Sequence, residues 1–279
     1  MLIARGLRRL HERTGLTQSQ LAKEAGVSVG TVNRYLDWQD RSRLTVPTIR
    51  SLAVACQATA RERKALETLV RTQEEGWWVG HPGMPDWMDP LLSFEDFAEY
   101  EHVFANNLVP GLLQTRGYAR ALHEAQQQPR AESEQIERSL EGRMQRQSVL
   151  DRSDLHVWVV LDEAVLRRRP SEDPAVMVEQ IDHLIDLAHR PNVDIQVMPF
   201  SVGHSAGSGG HYVILGRSAE APEADAMGVV YLELHRRGVY LDAPDDVQAY
   251  KLMFDYARAK AADSRASVTL LTNARSEIT

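Results

Sequence analysis

Residues 17–38, TQSQLAKEAGVSVGTVNRYLDW, read as a helix, a tight turn and a second helix. Thr17 and Gln20 have the spacing of a capping box, in which a hydroxyl and an amide satisfy free backbone N–H groups at a helix start. Leu21, Ala22 and Ala25 form the inner stripe of that helix, and Gly26 supplies the φ-permissive residue that ends it. Ser28 caps the second helix. Val32, Tyr35 and Leu36 recur at helical spacing and face inward, which leaves Ser28, Val29, Gly30, Thr31, Asn33 and Arg34 on the outer face.

That outer face is short, polar and basic. The major groove of DNA admits one α-helix and displays acceptors on guanine and mixed donors and acceptors on adenine, edges that Arg34 and Asn33 suit. Val29 and Gly30, near the helix start, would approach thymine methyls or let the helix sit deep. Val29, Gly30, Asn33 and Arg34 are therefore the expected base readers, and Gln18, Ser28 and Thr31 the expected phosphate contacts. Arg41 and Arg43, in the loop DRSRL at 40–44, are further candidates for phosphate. The run Gln18, Leu21-Ala22, Gly26-Val27-Ser28 and Thr31-Val32 resembles the Cro-type, or XRE, helix-turn-helix family; Leu36 departs from it, since members often carry glutamate there. The resemblance implies double-stranded DNA as partner and transcriptional regulation as role.

Charge is divided along the chain. Residues 1–71 hold 13 of the 32 Lys and Arg but only 6 of the 39 Asp and Glu, a net +7, while the remaining 19 and 33 give −14. A local basic face is what counterion release from DNA requires, and an acidic remainder discourages non-specific nucleic-acid binding elsewhere.

The first domain is expected to span 1–73, with five helices. Ile3, Leu7 and Leu10 stripe a helix that Gly15 stops, Val46-Pro47 opens a fourth, and Thr59 with Glu62 caps a fifth. Residues 74–92, EEGWWVGHPGMPDWMDPLL, form a Trp/Gly/Pro-rich connector. Its Trp77, Trp78 and Trp87 read as packing on the second domain, with an aromatic ligand cage as the alternative.

Residues 93–279 read as an α+β domain with a mainly antiparallel sheet. Helical spacing marks Phe94–Phe104, Arg116–Gln126, Glu132–Leu150, Pro174–His189 and Asp245–Ala262, and a shorter helix starts at Ser264. HVWVVLD, VDIQVMPF, HYVILG, GVVYLEL and GVYLD read as strands, those after residue 193 following too closely for helical crossovers. PGLLQTRGYARAL at 110–122, WVVLDEAVLRR at 158–168, PNVDIQVMPF at 191–200, the glycine-rich GHSAGSGGHYVIL and VVYLE at 229–233 resemble an actinobacterial group of XRE-type regulators with an antitoxin-like C-terminal domain. That resemblance implies a small partner protein, encoded nearby, on the C-terminal domain.

Other chemistries are weaker on this sequence. Gly203-His204-Ser205-Ala206-Gly207 fits the G-x-S-x-G nucleophile elbow, with Asp225 and His235 following in hydrolase order. The elbow needs a helix after the serine, however, whereas SGGHYVILG starts a strand, so a glycine-rich loop is the better account. Ten scattered histidines and the lone Cys56 form no closely spaced ligand set, so neither metal nor other cofactor is expected, nor an enzyme. Arg167 and Arg168 offer a basic run for an anionic ligand or the partner, or a salt-bridged surface. A small-molecule effector on the C-terminal domain is the alternative to the protein partner. No apolar run approaches the roughly 18 to 20 residues of a membrane span, which points to the cytoplasm. One recognition helix reads too few base pairs for selectivity, so the expectation is a homodimer on a near-palindromic operator, its half-sites about 34 Å apart.

Overall fold

The computed structural model describes residues 2–37, 44–75, 78, 81–127, 133–205, 209–217, 228–234 and 237–278. The chain forms two compact units, Met1–Val79 and Gly80–Thr279.

The first unit is helical: α1 Leu2–Thr14, α2 Gln18–Ala25, α3 Val29–Leu36, α4 Val46–Ala55 and α5 Ala60–Glu75. Its termini are fixed by the caps read from the sequence. The Thr17 hydroxyl accepts from the Gln20 N–H at 3.2 Å while the Gln20 amide oxygen accepts from the Thr17 N–H at 2.8 Å, and Gly26 ends α2 at φ 67°. Thr59 and Glu62 repeat the arrangement at α5. Leu7, Leu21, Val32, Ile49, Leu52 and Val70 are fully buried and make the core. Cys56 is buried with them, and burial pushes its thiol up to about 11, which suits a small hydrophobe rather than a nucleophile.

The second unit begins within the tryptophan-rich stretch. Trp87 lies in a 3-10 turn, Asp86–Met88, whose backbone is tied down by Tyr240: the phenol donates to the Trp87 carbonyl at 3.0 Å and accepts from the Leu91 N–H at 3.2 Å. Then follow α6 Asp89–Phe97, β1 Tyr100–Ala105, α7 Arg116–Gln127, α8 Ser133–Arg146, β2 His156–Asp162, α9 Glu163–Arg167 and α10 Pro174–Leu187. The rest is β3 Val193–Met198, β4 Tyr212–Gly216, β5 Val229–Leu234, β6 Arg237–Leu241, α11 Pro244–Lys260 and α12 Ser264–Ser276.

The six strands form one sheet in the order β3-β2-β1-β4-β5-β6. It is mixed, which corrects the expectation of a mainly antiparallel sheet. β1 runs parallel to β2 and β2 to β3, because each connection contains helices long enough for a crossover, whereas β1–β4, β4–β5 and β5–β6 are antiparallel. The source of the difference is residues 94–104, whose apolar spacing reads as one helix. The helix stops at Phe97, Ala98 is extended, and Tyr100–Ala105 becomes a central strand between β2 and β4. On one face of the sheet Phe104, Val160, Ile214 and Val230 pack against Val247, Phe254 and Ala257 of α11.

Candidate nucleic-acid interface

The helix-turn-helix presents its outer face as the sequence reading requires. Val32, Tyr35 and Leu36 are buried, while Gln18, Ser28, Val29, Gly30, Asn33 and Arg34 are exposed and Thr31 is half-buried. Val29 keeps 41% of its surface in solvent, an apolar group free to meet a thymine methyl. Arg34 makes no hydrogen bond or ion pair among the described residues, so its guanidinium fork is uncommitted. A Cβ added to Gly30 would meet only the Ser28 hydroxyl, at an ordinary 3.7 Å.

Ser28 and Thr31 are partly committed. The Ser28 oxygen caps α3 by accepting from the Thr31 N–H at 3.0 Å, and the two hydroxyls share a bond of 2.9 Å. Two hydroxyl hydrogens and one mutual bond leave a single hydrogen for an outside acceptor such as a phosphate oxygen. Arg41 and Arg43 lie outside the described residues.

Two long-range contacts hold this face in place. The Arg8 Nε donates to the Leu36 carbonyl at 2.6 Å, satisfying the end of α3 from α1. Tyr35 Oη accepts from the Thr45 N–H at 2.6 Å, fastening α3 to the start of α4. Beside the face an open groove of about 400 Å³ is lined by Arg8, His11, Glu12, Gln18, Asn33, Leu36 and Asp37. It brings together Gln18 and Asn33, predicted for phosphate and base, and adds Glu12 and Asp37, which no sequence pattern marked. Those carboxylates limit how closely a phosphate strand can run along this side. Arg13 and Arg50 take no part: they are forked onto Glu62 and Glu67, and the Arg13 bond holds the Glu62 carboxyl at about 2.

In the second unit the motif residues chiefly support backbone. Gln180 donates to the Leu113 carbonyl and accepts from the Thr115 N–H, both at 2.7 Å, and the Asn192 amide donates to the carbonyls of Leu150, Arg152 and Leu155. Gln196 bridges the Trp158 indole N–H and the Ala262 carbonyl. Arg167 is paired with Glu163 at 3.0 Å and with Glu277, while Arg168 is exposed. Trp78, which falls within the first unit, is buried and Trp87, in the second, is half-buried; Trp77 lies outside the described residues. Ser205 is buried and follows a 3-10 turn, Phe200–Val202, rather than the strand that precedes a nucleophile elbow; residues 206–208, Asp225 and His235 lie outside the described residues. Among the described residues no group of His, Cys, Asp and Glu is placed to hold a metal ion, and no helix is long and apolar enough to cross a membrane.

The fold and its exposed recognition helix define a helix-turn-helix DNA-binding protein, and a family profile described as a helix-turn-helix domain matches residues 2–66. A second profile, described as a domain of unknown function, DUF5753, matches residues 88–273, more than half of the chain. The protein belongs to the DUF5753 family. No curated protein and no solved structure matches it.

Proposed function

We propose that the protein is a sequence-specific transcriptional regulator of the XRE, Cro-like type, binding a near-palindromic operator as a homodimer, with no catalytic role. Val29, Gly30, Asn33 and Arg34 read base edges, and Gln18, Ser28, Thr31, Arg41 and Arg43 hold phosphates. The observation that carries this reading is Gly30. Glycine costs a helix about 1 kcal/mol relative to alanine, and here the fold has no need of it, because a Cβ would find ordinary space. A helix start kept bare and open beside an uncommitted arginine suits close approach to a groove floor. The second unit, on its resemblance to the antitoxin-like domains of actinobacterial regulators, is the seat of a small protein partner that sets the regulator's state.

The test is binding of the full chain to the DNA upstream of its own gene, at stated salt, against a scrambled duplex. Selective binding, typically at least a thousandfold over non-specific DNA, is the expected result. Equal affinity for both duplexes, with and without the small protein encoded nearest the gene, would overturn the proposal.

A further inference from the structure

On its solvent side helix α11 carries an apolar stripe, set among the exposed Asp245, Asp246, Gln248, Asp255 and Lys260. Its inner side, Val247, Phe254 and Ala257, is buried against the sheet, so a surface helix would ordinarily carry polar residues on the opposite arc. Along the middle of that arc, beside the exposed Gln248 and Asp255, run Ala249, Leu252, Tyr256 and Ala259, all exposed, with Leu252 and Tyr256 at 50% and 57% of their free surface. The spacing is three, four, three, the seam of a left-handed helix pair. Asp245 and Asp246 bound the stripe at its start and Lys260 at its end. Arg258 lies over the Trp158 ring, its guanidinium 4.6 Å from the ring centre, and its Nε pairs with Asp255 at 2.9 Å.

We propose that this stripe docks a second copy of the chain, two α11 helices packing antiparallel about a two-fold axis that passes between Leu252 and Tyr256. Self-complementary interfaces require every contact to be reciprocal, and the stripe satisfies this. Leu252 of each copy faces Tyr256 of the other, Ala249 faces Ala259, and Lys260, opposite Gln248, lies within a turn of the mate's Asp245 and Asp246, while Asp255 of each copy, already paired with its own Arg258 at 2.9 Å, flanks the axis. A parallel pair would instead set Asp245 against Asp245 and Lys260 against Lys260, so the charges select the antiparallel arrangement. A 17-residue helix is about 25 Å long. A contact one helix wide falls below the roughly 800 Å² per partner of a standard interface, so the free dimer is weak and concentration-dependent. An operator with two half-sites then holds both copies together. The inference rests on the dimeric reading above and supplies its interface.

Sedimentation velocity of the full chain from about 1 to about 100 µM, a range that brackets a micromolar dissociation constant, tests it. The expected result is a reversible monomer–dimer equilibrium. Leu252→Glu with Tyr256→Glu should raise the dissociation constant about tenfold or more and leave far-UV circular dichroism unchanged, since both side chains are half exposed. Asp245→Lys with Asp246→Lys should weaken the dimer, and adding Lys260→Asp should restore it. A wild type that stays monomeric throughout, or a dimer indifferent to these substitutions, overturns the proposal. Operator binding is scored separately. A dimer that dissolves on changing α11 but never selects the upstream DNA keeps this interface and sinks the regulator reading. Selective binding by a dimer blind to α11 does the reverse.

Discussion

Gly30 sets stability against recognition at a single atom. In the second position of α3 it lowers helix propensity, and a Cβ there would touch only the Ser28 hydroxyl at 3.7 Å. Gly30→Ala should therefore stabilise the first unit, by up to about 1 kcal/mol in urea unfolding, while weakening binding to the operator. Unchanged affinity would mean that α3 does not sit deep enough for the methyl to matter. His102, on β1, shows a different conflict. Its ring stacks on Phe254 at 4.7 Å and meets Trp158 edge-on. Burial first, then Arg258, His156 and Lys251, hold its pKa down at about 4. The folded value lies below the ordinary 6.5, so between the two the unfolded chain binds more protons. The stability contributed by the neutral ring is complete above 6.5 and is lost as the pH falls toward 4. His102→Phe should flatten the pH dependence of the second unit's unfolding across that window. A slope that persists would belong to His123, His183 and His211, which burial also lowers, and at its acid end to Glu137 and Asp154, which hydrogen bonds from arginines lower.

Elements announced themselves where local chemistry decides them. The capping boxes at Thr17 and Thr59, the Asp173 cap ahead of Pro174, and the β-branched run HVWVVLD all stand at the positions their residues specify. β1 was hidden because Phe94, Phe97 and Phe104 continue a helix-like spacing, and because a glutamate sits inside a core strand. Glu101 is buried with one carboxyl oxygen unpartnered among the described residues. Burial, and then the Glu95 carboxylate, raise its pKa well above the usual range, so the fold disfavours its charged form. Nothing in YEHVFA signals a buried acid. Sheet order was hidden for a related reason: spacing shows which strands are too close for a crossover, but not that β1 divides a parallel half from an antiparallel one. The recognition face was legible because caps and inner stripe together fix what points outward. Its supports were not, since Arg8 reaching the Leu36 carbonyl and Tyr35 reaching Thr45 are contacts between elements. Helix α11 was legible too, but its exposed Leu252 and Tyr256 acquire meaning only once the sheet takes the other face.

At the scale of the whole molecule, charge separates where DNA is held from where it is repelled. The chain is net −7, with a net +7 in the first 71 residues against −14 in the rest, so attraction to DNA must come from a few placed cations rather than from a general field. Of the residues assigned to phosphate, Gln18, Ser28 and Thr31 are neutral donors and only Arg41 and Arg43 are charged. A neutral donor displaces no condensed counterion. Each neutralised phosphate contributes about −0.9 to the slope of log affinity against log salt, so a dimer using two arginines per copy should show a slope of about −4 on its operator. Arg41→Ala with Arg43→Ala should carry that slope most of the way to zero. Gln18→Ala should lower affinity at every salt concentration and leave the slope alone. If the slope survives loss of the arginine pair, the loop at 40–44 is solvent-facing and the cations on phosphate are others of the basic unit, with the exposed Arg9 and Lys23 the next to replace.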